Sequence, residues 1–364
     1  MSVIRVAYLL EQCWHRVPGG TGIASKELAK TLNLMEGIEI KGVTAAHIQN
    51  PKIELPDGLS IYRHRVPRQV LYRAWNNLNW PTPDRLVGDC DLVHASGGAI
   101  PPTKFPLVST IYDLSWRHNS EWFPKRGRDF AEECLKNSAK AERIICPSET
   151  TRFDLLEAGF DPEKLKVIPL GVEEKKVSLE EVKLLRKSNK LETPFVLWMG
   201  TIEPRKNLPT LVDAMSKIPH IPLVLVGPVG WNVDVEKIIK PIRDRVKLVG
   251  RVDEAVKHVW LKAADVFCFP SLLEGFGLPV IEAMSQGTPV VTSGTTATAE
   301  VAGNSGVLID PQNSSEIFEA VSMILENKDF SEELSKKSIE RSKDFSWPKS
   351  AEKTKKVYEE VLSD

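Results

Sequence analysis

The sequence has little of several features that would mark particular classes of protein. Its five cysteines include no C-x-x-C pair, which argues against disulfide bridges and zinc sites and favours a reducing compartment. No apolar run approaches the roughly 18 residues that a membrane-spanning helix needs. The formal net charge is only −1, which disfavours a general nucleic-acid binder. The amino terminus lacks a signal-peptide cleavage region, so we expect a cytoplasmic protein.

Apolar runs that predict strands alternate with helical segments along the chain. The 364 residues are enough for two domains with separate cores, and the alternation predicts an α/β fold with doubly wound parallel sheets. A highly charged stretch, Glu173–Glu192, lies between the halves, so we predict domains at 1–172 and 173–345, with 346–364 as an amphipathic helix. The predicted strands are Ile4–Leu10, Ile38–Thr44, Asp91–His94, Leu107–Tyr112, Arg143–Cys146, Leu165–Ile168, Phe195–Met199, Leu223–Val226, Val246–Val249, Val266–Phe269, Val290–Thr292 and Val307–Ile309.

One stretch of the second half has the clearest functional pattern. A strand-like run, Val266–Phe269, is followed by a loop that holds Glu274, and the next predicted helix is Val280–Gln286. Ligands bind at this edge of an open α/β sheet, where backbone N–H groups can face an anion. Glu282 follows Glu274 by eight residues and falls in the first turn of the predicted helix, where the helix dipole alone could explain a glutamate. A purely structural explanation is weaker for Glu274, because a carboxylate in a glycine-containing loop has little packing to do.

Two adjacent cations follow the first predicted strand of the second half. Arg205 and Lys206 stand in the segment GTIEPRKN, before a predicted helix that starts near Leu208. If both face a ligand, they would neutralise a diphosphate leaving group. The alternative is a pair of solvated surface cations.

A glycine-rich segment follows the first strand of the chain. Gly19 and Gly20 lie in the segment Pro18–Gly22, before a predicted helix, Ile23–Leu34. A strand, a glycine loop and a helix in this order can hold a phosphate. Ser25 stands where a dinucleotide fingerprint needs its third glycine, so this is not such a fingerprint. The alternative is a tight turn without a ligand.

Two further segments of the first half contain candidate binding residues. Asp113, Trp116 and His118 follow the strand that ends at Tyr112, which places them at the edge where substrates bind. The segment Ile61–Arg85 is rich in arginine and aromatic residues, a composition that suits an anionic membrane surface or a large acceptor. A solvated helix with an apolar underside is the alternative for that segment.

Taken together, these motifs resemble those of the GT-B glycosyltransferases of group 1, or family four, which have a Glu-x7-Glu motif. Glu274 and Glu282 have that spacing within EGFGLPVIEAMSQGTPVV, and GTIEPRKN and PGGTG fall at the family's cation motif and amino-terminal glycine loop. The resemblance implies two Rossmann-like domains that face each other across a cleft, with the last helix crossing back onto the first. It also implies that a sugar is transferred from a nucleoside-diphosphate sugar to a hydroxyl acceptor with retention of the anomeric configuration. No metal or other cofactor would be required.

The resemblance also implies roles for individual residues. Arg205 and Lys206 would hold the diphosphate, Glu274 would contact hydroxyls of the donor sugar, and Glu282 would bind the ribose. The glycines of the amino-terminal loop would approach the phosphates. The other donor-side residues would be Gly275, Phe276, Gly277 and Leu278 beside the sugar, and Arg251 and Val252 at the nucleobase; on the acceptor side stand Asp113, as a catalytic candidate, with Trp116 and His118.

Two positions depart from the family pattern. Thr201 follows Gly200 where the family often has an arginine, so Arg205 would take that arginine's part. Tyr112 replaces the histidine that many members have before Asp113.

The leading functional hypothesis is a hexosyltransferase that prefers GDP-mannose over UDP-glucose as its donor. Its acceptor would be a hydroxyl group of a glycan, of a lipid-linked glycan or of a small molecule. A sugar-nucleotide epimerase of the same fold and a non-catalytic sugar-nucleotide-binding protein remain alternatives, and no pattern indicates an oligomeric state.

Overall fold

The chain forms two compact units. The computed structural model describes residues 3–15 and 19–363, so Pro18 of the predicted glycine loop lies outside the described residues. The first unit contains Met1–Trp116, Pro124–Gly171 and Trp347–Asp364, and the second contains Arg117–Phe123 and Val172–Ser346. None of the described helices is both long and apolar enough to cross a membrane.

The first unit is built on a parallel sheet of seven strands. Their order is β3-β2-β1-β4-β5-β6-β7, so the chain changes direction across the sheet between β1 and β4. The crevice at such a switch point is where open α/β sheets bind ligands. The strands are β1 (Ile4–Leu9), β2 (Ile38–Ala46), β3 (Ser60–Pro67), β4 (Leu92–Ala95), β5 (Leu107–Thr110), β6 (Arg143–Cys146) and β7 (Leu165–Val167).

The second unit has a parallel sheet of six strands in an equivalent order. The order is β10-β9-β8-β11-β12-β13, which puts the switch point between β8 and β11. The strands are β8 (Val196–Met199), β9 (Leu223–Val226), β10 (Val246–Gly250), β11 (Val266–Phe269), β12 (Val290–Ser293) and β13 (Val307–Ile309). The predicted α/β fold with two doubly wound parallel sheets is therefore confirmed.

Helices cover both sheets, as parallel sheets require because their two faces are apolar. Along β1, Val6 and Tyr8 belong to one core cluster and Ala7 and Leu9 to the other, which is the alternation of a strand buried on both sides. The helices are α1 (Gly19–Asn33), α2 (Arg68–Leu78), α3 (Pro83–Val87), α4 (Ser115–His118), α5 (Lys125–Ser138), α6 (Glu149–Glu157), α7 (Leu179–Ser188), α8 (Leu208–Ser216), α9 (Val235–Ile239), α10 (Glu254–Ala263), α11 (Leu278–Ser285), α12 (Ala297–Ala302), α13 (Ser314–Glu326), α14 (Lys328–Ser342) and α15 (Trp347–Ser363).

The last helix, α15, completes the core of the first unit. It packs against α1, and its buried residues Trp347 and Val357 join the cluster formed by one face of the sheet. The Tyr358 hydroxyl lies 2.6 Å from Nδ1 of the buried His94, whose Nε2 lies 2.8 Å from the Thr110 hydroxyl. Burial lowers the pKa of His94 to about 3, so this polar contact joins neutral groups at neutral pH.

Three local features differ from the sequence-based predictions. The segment Ser60–Pro67 is an edge strand, β3, which we did not predict. The helix α1 begins at Gly19, four residues before the predicted start, so Gly19 and Gly20 lie in a helical turn and not in a loop. The seven residues Arg117–Phe123, predicted within the first domain, group with the second unit.

Candidate active site

The predicted cations and Glu274 meet at the switch point of the second sheet. Arg205 and Lys206 lie on a 3-10 turn that follows β8, and Glu274 lies in the loop that follows β11. The two loops are joined by a hydrogen bond of 2.8 Å from the Leu272 N–H to the Arg205 carbonyl. Asn207, in the left-handed conformation, ends the turn and donates to the Pro270 carbonyl at 3.1 Å. The backbone therefore brings together residues that are about 70 positions apart.

Four charged side chains form a buried cluster at this point. Arg205 Nη1 lies 2.9 Å from Glu274 Oε2, and Lys206 Nζ lies 2.5 Å from Glu274 Oε1. On its other side Arg205 Nε lies 2.8 Å from Glu203 Oε1. Lys206 also lies over the Phe269 ring, 4.8 Å from its centroid, which adds a cation–π contact. The alternative that both cations are solvated surface groups is wrong, because Lys206 is buried and Arg205 is half-buried.

The charge state of Glu274 follows from its surroundings. Burial raises the pKa of a carboxyl group, but the positive charges of Arg205 and Lys206 outweigh burial and lower the pKa of Glu274 to about 2. Glu274 is therefore ionised at neutral pH and cannot act as a general acid there. Burial and the neighbouring Arg205 lower the pKa of Lys206, with the two carboxylates opposing them.

The residues after Glu274 lead into α11. Gly277 has φ 107°, and a Cβ at this position would lie 2.7 Å from Cγ2 of Thr298, so a side chain would be strained and would clash. Phe276 and Leu278 are buried, and the Phe276 ring packs edge-on against Phe345 at 5.8 Å. The segment Gly275–Leu278 thus holds the amino end of α11 beside Glu274.

Glu282 lies in a different electrostatic environment. It is the fifth residue of α11 and so lies in the second turn; the predicted position in the first turn was wrong. Its Oε1 lies 2.7 Å from Lys257 Nζ, which also lies 2.6 Å from Glu254. Burial raises the pKa of Glu282, although Lys257 opposes the shift. The helix dipole therefore does not explain this glutamate, while its ribose-binding role stays a prediction.

The predicted nucleobase residues lie further along the sheet. Arg251 and Val252 follow β10, the edge strand, which is two strands away from β8 in the sheet order. Arg251 is exposed and Val252 is half-buried. Their role stays a prediction.

A cavity of about 190 Å³ lies in the first unit, at the carboxyl end of its central strands. Asp113 and Trp116, both predicted as substrate residues, line it together with Tyr112. Asp113 accepts hydrogen bonds from the N–H and the hydroxyl of Ser115, at 3.0 and 2.5 Å, and the Trp116 indole donates to Glu132 at 2.7 Å. The other lining residues are Thr21, Gly97, Gly98, Thr110, Ile111, Phe130, Ala131, Cys134, Leu135 and Ser138.

Three predicted residues of the first half have different positions from those expected. His118 is exposed and belongs to the second unit, so the structure does not gather it with Asp113 in this cavity. Gly19 and Gly20 begin α1, and the next residue, Thr21, lines the cavity. They remain at the carboxyl end of β1, where a helix amino terminus favours an anion.

Some residues of these sites were missed by sequence reasoning. Glu203 holds Arg205, and its position within GTIEPRKN, two residues earlier, was a signal that could have been used. Gly97 has φ 107°, and a Cβ there would lie 2.8 Å from the Tyr112 ring, so only glycine suits this wall of the cavity. Lys257 is 25 residues from Glu282, and no sequence pattern linked the two.

Among residues 3–15 and 19–363, no group of three or more metal-binding side chains was found.

Known families match both halves of the chain. The family described as "Glycosyltransferase Family 4" matches residues 18–176, and "Glycosyl transferases group 1" matches residues 182–341. The O-antigen chain mannosyltransferase B of Escherichia coli is 28% identical over 281 residues, which are 73% of this chain and 74% of that protein. The MMP alpha-(1->4)-mannosyltransferase of Mycolicibacterium hassiacum is 26% identical over 400 residues, 95% of each chain.

Solved structures show the same fold. The sucrose-phosphate synthase of Thermosynechococcus elongatus superposes over 100% of both chains with a TM-score of 0.81 and 22% sequence identity. The two Rossmann-like sheets and this likeness define a GT-B protein. The chain belongs to the group 1 glycosyltransferases, as its motifs indicated, and it is accordingly a glycosyltransferase.

Proposed function

We propose that the protein transfers a hexose from a nucleoside-diphosphate sugar to a hydroxyl acceptor with retention of the anomeric configuration. The observation that supports this most is the convergence of Arg205 and Lys206 with Glu274 at the switch point of the second sheet. A departing diphosphate needs nearby positive charge, and buried Lys206 and half-buried Arg205, held in place by carboxylates, supply it without reorganisation. We therefore propose that no metal is required.

The roles of the donor-side residues follow from their charge and position. Arg205 and Lys206 stabilise the diphosphate, and ionised Glu274 accepts hydrogen bonds from sugar hydroxyls. We assign the ribose to Glu282, whose carboxylate would exchange part of its contact with Lys257 for the ribose hydroxyls. Arg251 and Val252 are assigned to the nucleobase.

The acceptor-side roles rest on the first unit. Asp113 and Trp116 in the 190 Å³ cavity would contact the acceptor, and Gly19 and Gly20 would let the start of α1 approach the phosphates. The acceptor is a glycan end, a lipid-linked glycan or a small molecule. His118, which belongs to the second unit, stays an acceptor candidate.

GDP-mannose is the proposed donor, with UDP-glucose second, because two relatives are named mannosyltransferases. We expect GDP-mannose to raise the unfolding temperature more than UDP-glucose or an ADP sugar in a thermal-shift screen, since a ligand that binds only the folded state stabilises it by about 2.7 kcal/mol at 100 times its Kd. The screen is run in EDTA, with mannose alone as the control. A larger rise in unfolding temperature with UDP-glucose would overturn the donor assignment. If the temperature rose only after magnesium was added, the proposal that no metal is required would be overturned.

The two alternative functions, a sugar-nucleotide epimerase and a non-catalytic binding protein, predict different fates for the donor. An epimerase would form a new sugar nucleotide without any acceptor. A non-catalytic binder would leave the donor intact with every acceptor tested. For the proposed transferase, NMR of the product with an α-linked donor would show an α linkage, and a β linkage would contradict retention.

The first unit has a basic and apolar surface that suits contact with a membrane. Between Ser60 and Trp80 the sequence has four arginines and no acidic residue. Leu71 and Trp75 bury one side of α2, whereas Val70, Leu78 and Trp80 are 52%, 70% and 56% exposed. Exposed apolar side chains beside arginines suit the interface of an anionic membrane. We propose peripheral contact with the cytoplasmic face of a membrane through this surface.

Vesicle co-sedimentation tests this contact. The protein is expected to bind vesicles with 30% phosphatidylserine and to leave them in 0.5 M salt, because the attraction of the arginines is screened. The double variant Leu78→Ser, Trp80→Ala should bind about tenfold more weakly, since two apolar side chains no longer enter the interface. Leu34→Ser, at another exposed leucine of the first unit, is the matched control. Equal binding to pure phosphatidylcholine, or equal loss in the control, would contradict the proposal.

A further inference from the structure

Seven residues of the chain form an arm that packs within the second unit. The arm, Arg117–Phe123, is flanked in sequence on both sides by residues of the first unit. The Trp231 indole N–H donates to the Trp122 carbonyl at 2.7 Å, and the Phe123 and Trp231 rings lie 6.1 Å apart. Asn232 adds a hydrogen bond of 3.2 Å to the Glu121 carbonyl. Two consecutive side chains thus hold three consecutive residues of the arm.

The loop that bears Trp231 is attached to the segment before Arg205. This loop, residues 228–232, follows β9. The Ile202 N–H donates to the Pro228 carbonyl and the Gly230 N–H donates to the Ile202 carbonyl, both at 2.9 Å. A Cβ on Gly230 would lie 2.8 Å from Cγ2 of Thr201 and 3.6 Å from Cβ of Glu203. The loop therefore packs directly on residues 201–203, with no room for a side chain between them.

These contacts form a continuous path from the arm to the cationic cluster. Trp231 is the neighbour of Gly230, Gly230 packs beside Glu203, and Glu203 holds the Arg205 guanidinium at 2.8 Å. A shift of the loop would move Glu203 and change the direction of the guanidinium. Since a misplacement of about 1 Å can cost about a hundredfold in rate, such a shift would matter to catalysis.

We propose that Trp231 is a positioning residue for donor cleavage. By binding the arm, it fixes loop 228–232, and through Glu203 it fixes the direction of Arg205. Tryptophan suits this role because its N–H and its ring face make two different contacts with the arm. The inference rests on the proposed function, in which Arg205 stabilises the departing diphosphate.

The test compares Trp231→Ala, Trp231→Phe and a control, Val229→Ala, which removes a 57% exposed side chain from the same loop. The measurements are the binding constants of GDP-mannose and UDP-glucose, the rate of nucleoside-diphosphate release from each, and deuterium uptake by the arm. Trp231→Ala should raise uptake in the arm and slow release about tenfold, while donor binding stays within about twofold. Trp231→Phe, which keeps the ring, should recover part of the rate, and the control should match the unaltered protein.

A double-mutant cycle separates positioning from general damage. If Trp231 acts through Glu203, Trp231→Ala should slow release much less in the Glu203→Gln background than in the unaltered protein. Unchanged arm uptake, an unchanged release rate, or fully additive effects would each overturn the proposal. A parallel loss of donor binding would overturn it as well, because it would indicate a structural role. Normal turnover of Arg205→Ala would instead refute the proposed function itself.

Discussion

Replacement of Arg205 by alanine is expected to lower kcat/KM for glycosyl transfer about a thousandfold, the upper range for loss of one group that stabilises developing charge. Arg205 is the cation that both Glu203 and Glu274 orient, so its guanidinium is held in one direction before the donor binds. The loss should fall mainly on kcat, because the negative charge on the diphosphate grows as the sugar departs. Steady-state release of nucleoside diphosphate measures it.

Two companion variants make the Arg205 result interpretable. Arg243→Ala removes an arginine of the same unit that is mostly exposed and paired with Glu236, so it should leave the rate unchanged. Arg205→Lys keeps the charge but loses the planar fork and should retain a small part of the activity. Circular dichroism and chemical unfolding show whether each variant is folded, because Arg205→Ala also removes an ion-pair partner of buried Glu203. Near-normal turnover of a folded Arg205→Ala would refute the assignment.

Replacement of Glu274 by glutamine is expected to have the largest effect on stability. The change leaves Arg205 and Lys206 close together without the carboxylate that now lies 2.9 and 2.5 Å from them. Removal of one partner from a buried ion pair costs about 3 to 5 kcal/mol. Urea unfolding at pH 7, followed by tryptophan fluorescence, measures the change. Glu236→Gln, at an exposed glutamate of the same unit, is the control and should change stability little.

The stability difference should also depend on pH in a definite direction. The pKa of Glu274 is about 2 in the folded protein, below the value of about 4.3 for a glutamate in an unfolded chain. Its contribution is therefore fully present above about pH 4.3 and is lost as the pH falls through about 2. The unaltered protein should lose stability between these values more steeply than Glu274→Gln. Parallel curves for the two proteins would contradict an ionised Glu274.

Much of the fold could be predicted from the sequence because a parallel strand buried on both faces is a short, continuous apolar run. The strand β3 was missed because it lies at the edge of the sheet and is not buried on both faces. Its exposed residues Arg63 and Arg65 alternate with more buried residues, so it contains no continuous apolar run. The start of α1 was misplaced because glycines usually mark loops, whereas here Gly19 and Gly20 open the helix.

The candidate site could be predicted only in part. Glu274, Arg205 and Lys206 follow the carboxyl ends of strands, and the strand order brings these ends together. Contacts between distant segments left no such signal. The contact of Lys257 with Glu282 depends on how α10 and α11 pack, and that of Trp231 with the arm depends on how two loops pack. The assignment of His118 to the second unit left no signal either, since His118 is only five residues from Asp113 in sequence.

The position of α15 has a consequence for the order in which the protein folds during synthesis. The ribosome releases the first 171 residues well before Trp347–Ser363, because Val172–Ser346, most of the second unit, lies between them in sequence. Until α15 arrives, the nascent first unit exposes the apolar face that Trp347 and Val357 later cover, and His94 lacks its contact with Tyr358. The second unit can thus complete its core before the first one does, which reverses the usual N-terminal-first order of co-translational folding.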